Sequence, residues 1–267
     1  MHASPRRRPR PARIWTALAV AVAAAVTVAA LQLNDGSCAA AADPRAGDGT
    51  ALYHRDWTTV QCSTGPLPPG GDYVSVSTTE FEGSALCGAS LDITGPEGRV
   101  RALVVDRCRA CGPGRLDLSE RAFARVAGGT SRGVAPVSYR LVRDPEPASR
   151  LAFRVKHTST REWLALLVTG HGNPLSRVEL RRADGWRPLR RGPDNLWSIT
   201  APGPGPYRVR VTDRHGNSAQ VANLRLAPGA AQTTRQRLYT TSAAAGPTAV
   251  TPSAGPVETT RPVARCP

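Results

Sequence analysis

The sequence predicts an all-β protein in two domains, a small barrel followed by a β-sandwich of immunoglobulin-like type. Short runs of alternating apolar residues recur along the chain, separated by turns rich in Gly, Pro and Asn. The stiff segment Asp144-Pro145-Glu146-Pro147 divides these runs into two sets. One helix stands out, just after Leu118, with both caps and an apolar stripe.

At the amino terminus, Arg6, Arg7, Arg8, Arg10 and Arg13 precede an uncharged apolar stretch from Ile14 to about Leu33. This is the basic and apolar pattern of an export signal. The stretch approaches the length of a membrane span, so a retained anchor is the alternative. Small-residue sites at Val28-Ala29-Ala30 and Ala40-Ala41-Ala42 favour cleavage, and no acylation box precedes Cys38. Residues 1–42 are therefore expected to be an export signal and lead. The expected location is secreted, extracellular or wall-associated, with membrane contact only through the leader.

The barrel domain is expected over residues 43–143. Leu91 and Ile93 alternate with polar residues, Gly95-Pro96-Glu97-Gly98 turns the chain, and Ala102 to Val105 is apolar on both parities. Such a run suits a strand in a closed or covered sheet. Ser119 caps the helix, Leu118 and Phe123 form its hydrophobic staple, and Gly128-Gly129 ends it. Phe123, Val126 and Ala127 make its apolar stripe, and Val137, Tyr139 and Leu141 alternate as a closing strand. Many short strands with one or two short helices suggest a small barrel.

The second domain is expected over residues 148–228. Leu151, Phe153 and Val155 alternate, Trp163 to Val168 is continuously apolar, and Val178 and Leu180 alternate, as do Tyr207, Val209 and Val211. Residues 240–267 are rich in Ala, Thr and Pro with little to bury, as in a disordered tail or surface strap.

Formal net charge is +15, and Lys156 is the only lysine. A cationic exported chain is drawn to polyanions such as acidic wall polymers. The arginines are evenly spread and aromatic residues are few, which argues against a nucleic-acid partner. Six cysteines in an exported chain point to disulfides. Cys62 and Cys87 are paired across a loop-rich stretch. Cys108-Arg109-Ala110-Cys111 admits a zinc site or a redox motif, but the nearest histidines are isolated and Gly112-Pro113-Gly114 follows the pair. A small structural disulfide fits better. Cys38 and Cys266 could join the ends unless cleavage removes Cys38.

Two aspartates carry the chemical interest. Asp106 ends an apolar strand, and Asp117 lies between a turn and the helix. A carboxyl group among apolar neighbours tends to hold its proton, which suits a general acid. The structural alternatives are an Asp106 pair with Arg107 or Arg101, and an Asp117 that satisfies backbone amides at the helix start. No Gly-x-Ser-x-Gly elbow, phosphate loop or His-Glu-x-x-His is present, and nothing calls for a cofactor or metal.

Leu86-Cys87-Gly88-Ala89-Ser90-Leu91-Asp92-Ile93-Thr94-Gly95-Pro96-Glu97-Gly98, then Val104-Val105-Asp106-Arg107-Cys108 and Leu116-Asp117-Leu118-Ser119 with Ala122-Phe123, resembles the first domain of microbial expansin-like proteins. Phe153-Arg154-Val155-Lys156, Ser159-Thr160-Arg161-Glu162-Trp163, Asp184-Gly185-Trp186 and Gly203-Pro204-Gly205-Pro206-Tyr207 through Val211-Thr212-Asp213 resemble the family's carbohydrate-binding module. The likeness runs from about Thr50 to Leu226 in the family's order. It implies a six-stranded double-psi β-barrel packed on a β-sandwich, and a monomer that loosens wall polysaccharide without hydrolysis. Asp117 matches the general acid of endoglucanases that share the barrel, and Asp106 a second groove aspartate.

Departures from the family pattern modify the expectation. Leu52 stands where a groove threonine is usual, followed by Tyr53, which is expected to bind polysaccharide, and Cys108 replaces a groove tyrosine. The three aromatic platform positions fall on Glu162, Trp163 and Asp194, so only Trp163 survives. Sugar rings stack on aromatic faces, so crystalline cellulose becomes a doubtful ligand. Arg187, Arg190 and Arg191 would favour an acidic polymer. Core packing is the alternative role for Trp163, Trp186 and Trp197. The expected partner is cell-wall polysaccharide: peptidoglycan, cellulose or an acidic polymer. Inverting hydrolysis needs an acid and a separate base, and the family lacks the base. The alternatives are a peptidoglycan lytic transglycosylase using Asp117 as acid, and a purely adhesive wall-binding module.

Overall fold

The computed structural model describes residues 46–68 and 70–240. The segment expected to be an export signal and lead, Cys38, Cys266 and the Ala/Thr/Pro-rich tail beyond Thr240 lie outside the described residues. Within the described residues, no helix is long and apolar enough to cross a membrane.

Six strands close into a barrel: β1 (Ala46–His54), β2 (Tyr73–Ser77), β3 (Ser90–Gly95), β4 (Gly98–Cys108), β5 (Arg115–Ser119) and β6 (Ala135–Leu141). Their order around the barrel is β1-β5-β2-β4-β3-β6, with β1 parallel to β5 and β2 parallel to β4. Closure leaves no free sheet edge, and the interior fills with Val74, Val76, Leu91, Ile93, Val104, Leu116 and Leu118. Burying each such side chain contributes about 1.5–3 kcal/mol before the entropy of ordering it is subtracted.

Two short helices lie against the barrel, α1 (Thr78–Phe81) and α2 (Glu120–Ala127). The second is the helix expected from the sequence. Ser119 Oγ accepts a hydrogen bond from the Ala122 N–H, and Gly128 ends the helix at φ 74°. Leu118 and Phe123, the staple residues, are both fully buried.

The run from Ala102 to Val105 is apolar on both parities for a local reason. Val74 pairs with Val104 but Ser75 pairs with Asp106, so Val105 is an extra residue that bulges the strand. The bulge shifts the alternation and turns Asp106 onto the same face as Leu103 and Arg101.

The remaining strands form two facing sheets. One has four strands: β9 (Leu175–Arg182), β10 (Gly185–Pro188), β13 (Tyr207–Asp213) and β14 (Ser218–Leu224), ordered β10-β9-β13-β14. The other has five: β7 (Ala152–Val155), β8 (Trp163–Thr169), β11 (Arg190–Arg191), β12 (Trp197–Thr200) and β15 (Ala231–Thr233), ordered β11-β12-β8-β7-β15. The last strand extends this sheet past residue 228. Phe153, Val155, Leu164, Leu166 and Val168 of one sheet share a core with Val178, Leu180, Val209 and Val211 of the other.

The junction between barrel and sandwich is built, not loose. The Asp144 N–H donates to Asn173 Oδ1 at 2.7 Å, and Asn173 Nδ2 donates to Asp144 and Asp213 at 2.6 and 2.7 Å. Gly88, at φ 76°, lies under the His171 ring, where a Cβ would come within 2.6 Å of Nε2. Only glycine fits that approach. Burial pushes the His171 imidazole down to about 4, and its Nδ1 faces the Asn173 carbonyl at 2.7 Å.

Candidate functional site: a carboxylate row on the barrel

The barrel order brings together residues far apart in sequence. Strand β2 lies between β5 and β4, with Ser75 opposite Asp117 on one side and Asp106 on the other. Paired residues share a face, so Asp117, Ser75 and Asp106 form one row, with the outer two Cα atoms roughly 10 Å apart at normal strand spacing. Leu52 extends the row, opposite Asp117 on β1. The Asp117 side chain is 24% exposed and Asp106 is half-buried, so both meet solvent. Ser75 Oγ and Asp117 Oδ1 are buried with no hydrogen-bond partner among the described residues. Orphaned polar atoms of this kind need an explanation, and a ligand site is one.

Asp117 meets a residue the sequence did not single out. His54 Nδ1 stands 3.0 Å from Asp117 Oδ2, an ion-pair contact. Contact with the carboxylate raises the imidazole above its ordinary 6.5, against the opposing effect of burial, and the charges of Asp117 and Asp106 add to the rise. The ring stacks on Trp57 with centroids 3.9 Å apart, and Trp57 Nε1 donates to the His54 carbonyl at 3.2 Å. His54 and Trp57 also line a hollow of about 700 Å³ with Leu67, Pro68 and Tyr73.

Asp106 pairs with neither Arg101 nor Arg107, the partners considered from the sequence. Its Oδ1 accepts the Gln61 N–H at 2.6 Å, Arg101 is bonded to Asp92, and the Arg107 guanidinium lies over Phe81. The carboxylate thereby anchors the loop that carries Cys62, which is joined to Cys87. Cys108 and Cys111 form the second expected disulfide, just beyond Asp106.

Tyr53 departs from expectation. It sits opposite the buried Leu118, and its ring packs 5.1 Å from that of Phe123. Strand alternation sends Leu52 and His54 to the aspartate face and Tyr53 to the other.

Trp163 is half-exposed, with Lys156 Nζ 5.7 Å from its ring centre. Leu164, Leu166 and Val168 point into the sandwich core, so alternation turns Trp163, Ala165 and Leu167 to the outer face. The loop anchored by Asp106 lies on this face. Arg154, paired with Leu167, donates to the Thr64 carbonyl at 2.8 Å. Ser63 Oγ donates to the Asp194 carbonyl at 2.7 Å, and Gln61 Nε2 to that of Pro193 at 3.3 Å. Residues 61–64 thus join the carboxylate row to the sheet face that bears Trp163.

The three arginines expected to act together are dispersed. Arg190 is exposed and pairs with Ser198, which pairs with Ala165, so it shares the Trp163 face. Arg191 points the other way: its guanidinium lies 5.0 Å from the Trp197 ring and donates to the Leu175 carbonyl, and burial lowers its pKa. Arg187 lies on the opposite sheet, bonded to Asp184 of its own hairpin. Trp197 is core, 4% exposed, whereas Trp186 is half-exposed between Arg181 and Arg210. Glu162 is exposed, and Asp194 Oδ1 accepts from the Leu196 N–H, so neither supplies a flat platform.

A closed six-stranded barrel with a carboxylate row, joined to a β-sandwich by a fixed junction, defines the class of protein. The chain belongs to the expansin family, on the microbial side. It is 38% identical to the expansin of Clavibacter michiganensis, covering 74% of this chain and 100% of that one with a TM-score of 0.68. An Asp→Asn variant of that expansin in complex with cellohexaose matches with a TM-score of 0.69. Expansin-YoaJ of Bacillus subtilis is 28% identical over 155 residues, 57% of this chain. Expansin-B16 of Oryza sativa subsp. japonica is 36% identical over 161 residues, 52% of this chain. The chain spans 66% and 58% of those two relatives' lengths, under two thirds of each. No protein-family profile matches it.

Proposed function

We propose that this expansin-like protein is exported, binds cell-wall polysaccharide along the carboxylate row and the Trp163 face, and weakens contacts between polymers without cutting them. The observation that carries this reading is that residues 61–64 are hydrogen-bonded to Asp106 at one end and to Arg154, Pro193 and Asp194 of the sandwich at the other. An extended chain lying across Asp117 and Asp106 would meet this loop next, with Trp163 beyond it.

The chemistry of the row favours binding over cleavage. Inverting hydrolysis needs one carboxyl as acid and another, across the bond, as base for water. Asp106 instead accepts the Gln61 amide at 2.6 Å and holds the loop in place. Asp117 faces an imidazole, and its role here is to hydrogen-bond sugar hydroxyls. Trp163 supplies one stacking surface, and Lys156 and Arg190 give that face a positive rim suited to acidic wall polymers.

The test is incubation of the purified protein with cellulose, an acidic wall polysaccharide and peptidoglycan, scoring bound protein, mechanical weakening and soluble products. Binding and weakening with no new reducing ends and no muropeptides is the expected outcome. Muropeptide release abolished by Asp117→Asn would establish the transglycosylase instead, and binding without weakening an adhesive module.

A further inference from the structure

A second hollow, of about 930 Å³, opens on the barrel wall where β1, β3, β4 and β6 adjoin. Its lining follows from strand register. Arg101 on β4, Asp92 on β3 and Arg140 on β6 form one row, and Arg99, Thr94 and Ser138 form the next. Asp92 accepts Arg101 Nε and Nη2 at 2.7 and 3.1 Å and Arg140 Nη2 at 2.7 Å. One carboxylate thus fixes two guanidinium groups while cancelling a single charge. Arg99 adds a further positive charge in the neighbouring row, where Asp48, opposite Ser138 on β1, adds a negative one, so the two rows together keep a net positive charge.

We propose that this hollow binds the carboxylates of a uronic-acid-containing polysaccharide, at a site separate from the Asp117 row. Asp92 takes the Nε/Nη2 fork of Arg101, so the N–H donors that would meet a planar carboxylate come from Arg99 and the remaining N–H groups of Arg101 and Arg140. Thr94 and Ser138 place hydroxyls in the second row, suited to the hydroxyls of a sugar. Asp92 at the centre repels densely charged polyphosphates and nucleic acid, whereas a polyuronate carries one charge per sugar and can pass it. Arg101 and Asp106 share the outward face of β4, roughly 15 Å apart along the strand. One molecule can therefore hold an acidic chain at the hollow while a second chain occupies the row. The inference stands on the hollow's own geometry and does not require the row to bind glucan.

Affinity electrophoresis of the intact protein in native gels containing polygalacturonate, hydroxyethylcellulose or polyphosphate tests this. The variant R99Q/R101Q/R140Q is compared with R208Q/R225Q/R235Q, which removes the same charge from exposed positions elsewhere. The first should weaken polygalacturonate binding about tenfold and the second less than about twofold, the loss of specific charge-assisted hydrogen bonds against loss of net charge. Arg99→Gln alone leaves both Asp92 pairs intact, protects the test from misfolding, and should give part of the loss. Hydroxyethylcellulose binding should be the same in every variant. Equal losses in the two triple variants, no loss in either, or stronger retention by polyphosphate than by polygalacturonate would overturn the proposal.

Discussion

His54 Nδ1 stands 3.0 Å from Asp117 Oδ2, which places an imidazole against one of the two carboxylates of the row. The pair depends on strand pairing alone: β1 runs parallel to β5, with His54 opposite Ser119 and Leu52 opposite Asp117. Proton binding by one ring therefore changes the charge of the surface on which a polymer is proposed to lie.

That pair predicts a pH dependence with a definite sign. The His54 pKa is raised, mainly by contact with Asp117. Its stabilisation is fully present below the unfolded value of 6.5 and is lost as pH rises through the folded value. His54→Gln should lower the melting temperature at pH 5.5 and leave it nearly unchanged at pH 9. The difference at low pH corresponds to under about 1 kcal/mol, since both side chains meet solvent. Differential scanning fluorimetry across pH measures it directly.

Trp163→Ala should reduce binding to insoluble wall material severalfold while leaving the melting temperature within a few degrees, because the indole is half-exposed on the outer sheet face. Trp197→Ala should do the reverse, costing about 3–5 kcal/mol of stability through the cavity it leaves. Depletion isotherms and chemical denaturation separate the two effects.

The disulfides should differ in weight. Cys62 and Cys87 are 25 residues apart and Cys108 and Cys111 only 3. Constraint of the unfolded chain assigns about 3.5 kcal/mol to the first and about 2 kcal/mol to the second. Replacing each pair with serine and measuring urea unfolding checks the order. Loss of the first should also free the loop that bridges the row to the sandwich.

Gly88→Ala should destabilise the junction by roughly 2 kcal/mol, combining a positive φ with a Cβ that collides with the His171 ring. The predicted signature is faster hydrogen exchange around Asn173 and Asp144, measured by mass spectrometry.

Local physics made much of this legible in the sequence. Helix α2 was readable because its Ser119 cap, its Leu118–Phe123 staple and Gly128 are all neighbours in the chain. The row was only half legible. Asp117 and Asp106 were visible individually, but Ser75 between them depends on β2 lying between β5 and β4, a relationship no local pattern encodes. His54 was hidden by a one-residue question of parity, since the choice between residues 53 and 54 decides which side chain reaches Asp117. Alternation from Leu52 would have found it. The arginines failed for a related reason: Arg190 and Arg191 are adjacent, so a strand must send them to opposite faces.

In the proposed binding mode one polymer touches the row and the Trp163 face together. Hydrogen exchange of the protein with and without a long soluble wall oligosaccharide is the most direct measurement. The predicted result is simultaneous protection of peptides covering residues 52–64, 115–119 and 161–167, weakened at all three by Trp163→Ala. Protection of the barrel peptides with no change at residues 161–167, or of neither, would contradict a continuous binding surface.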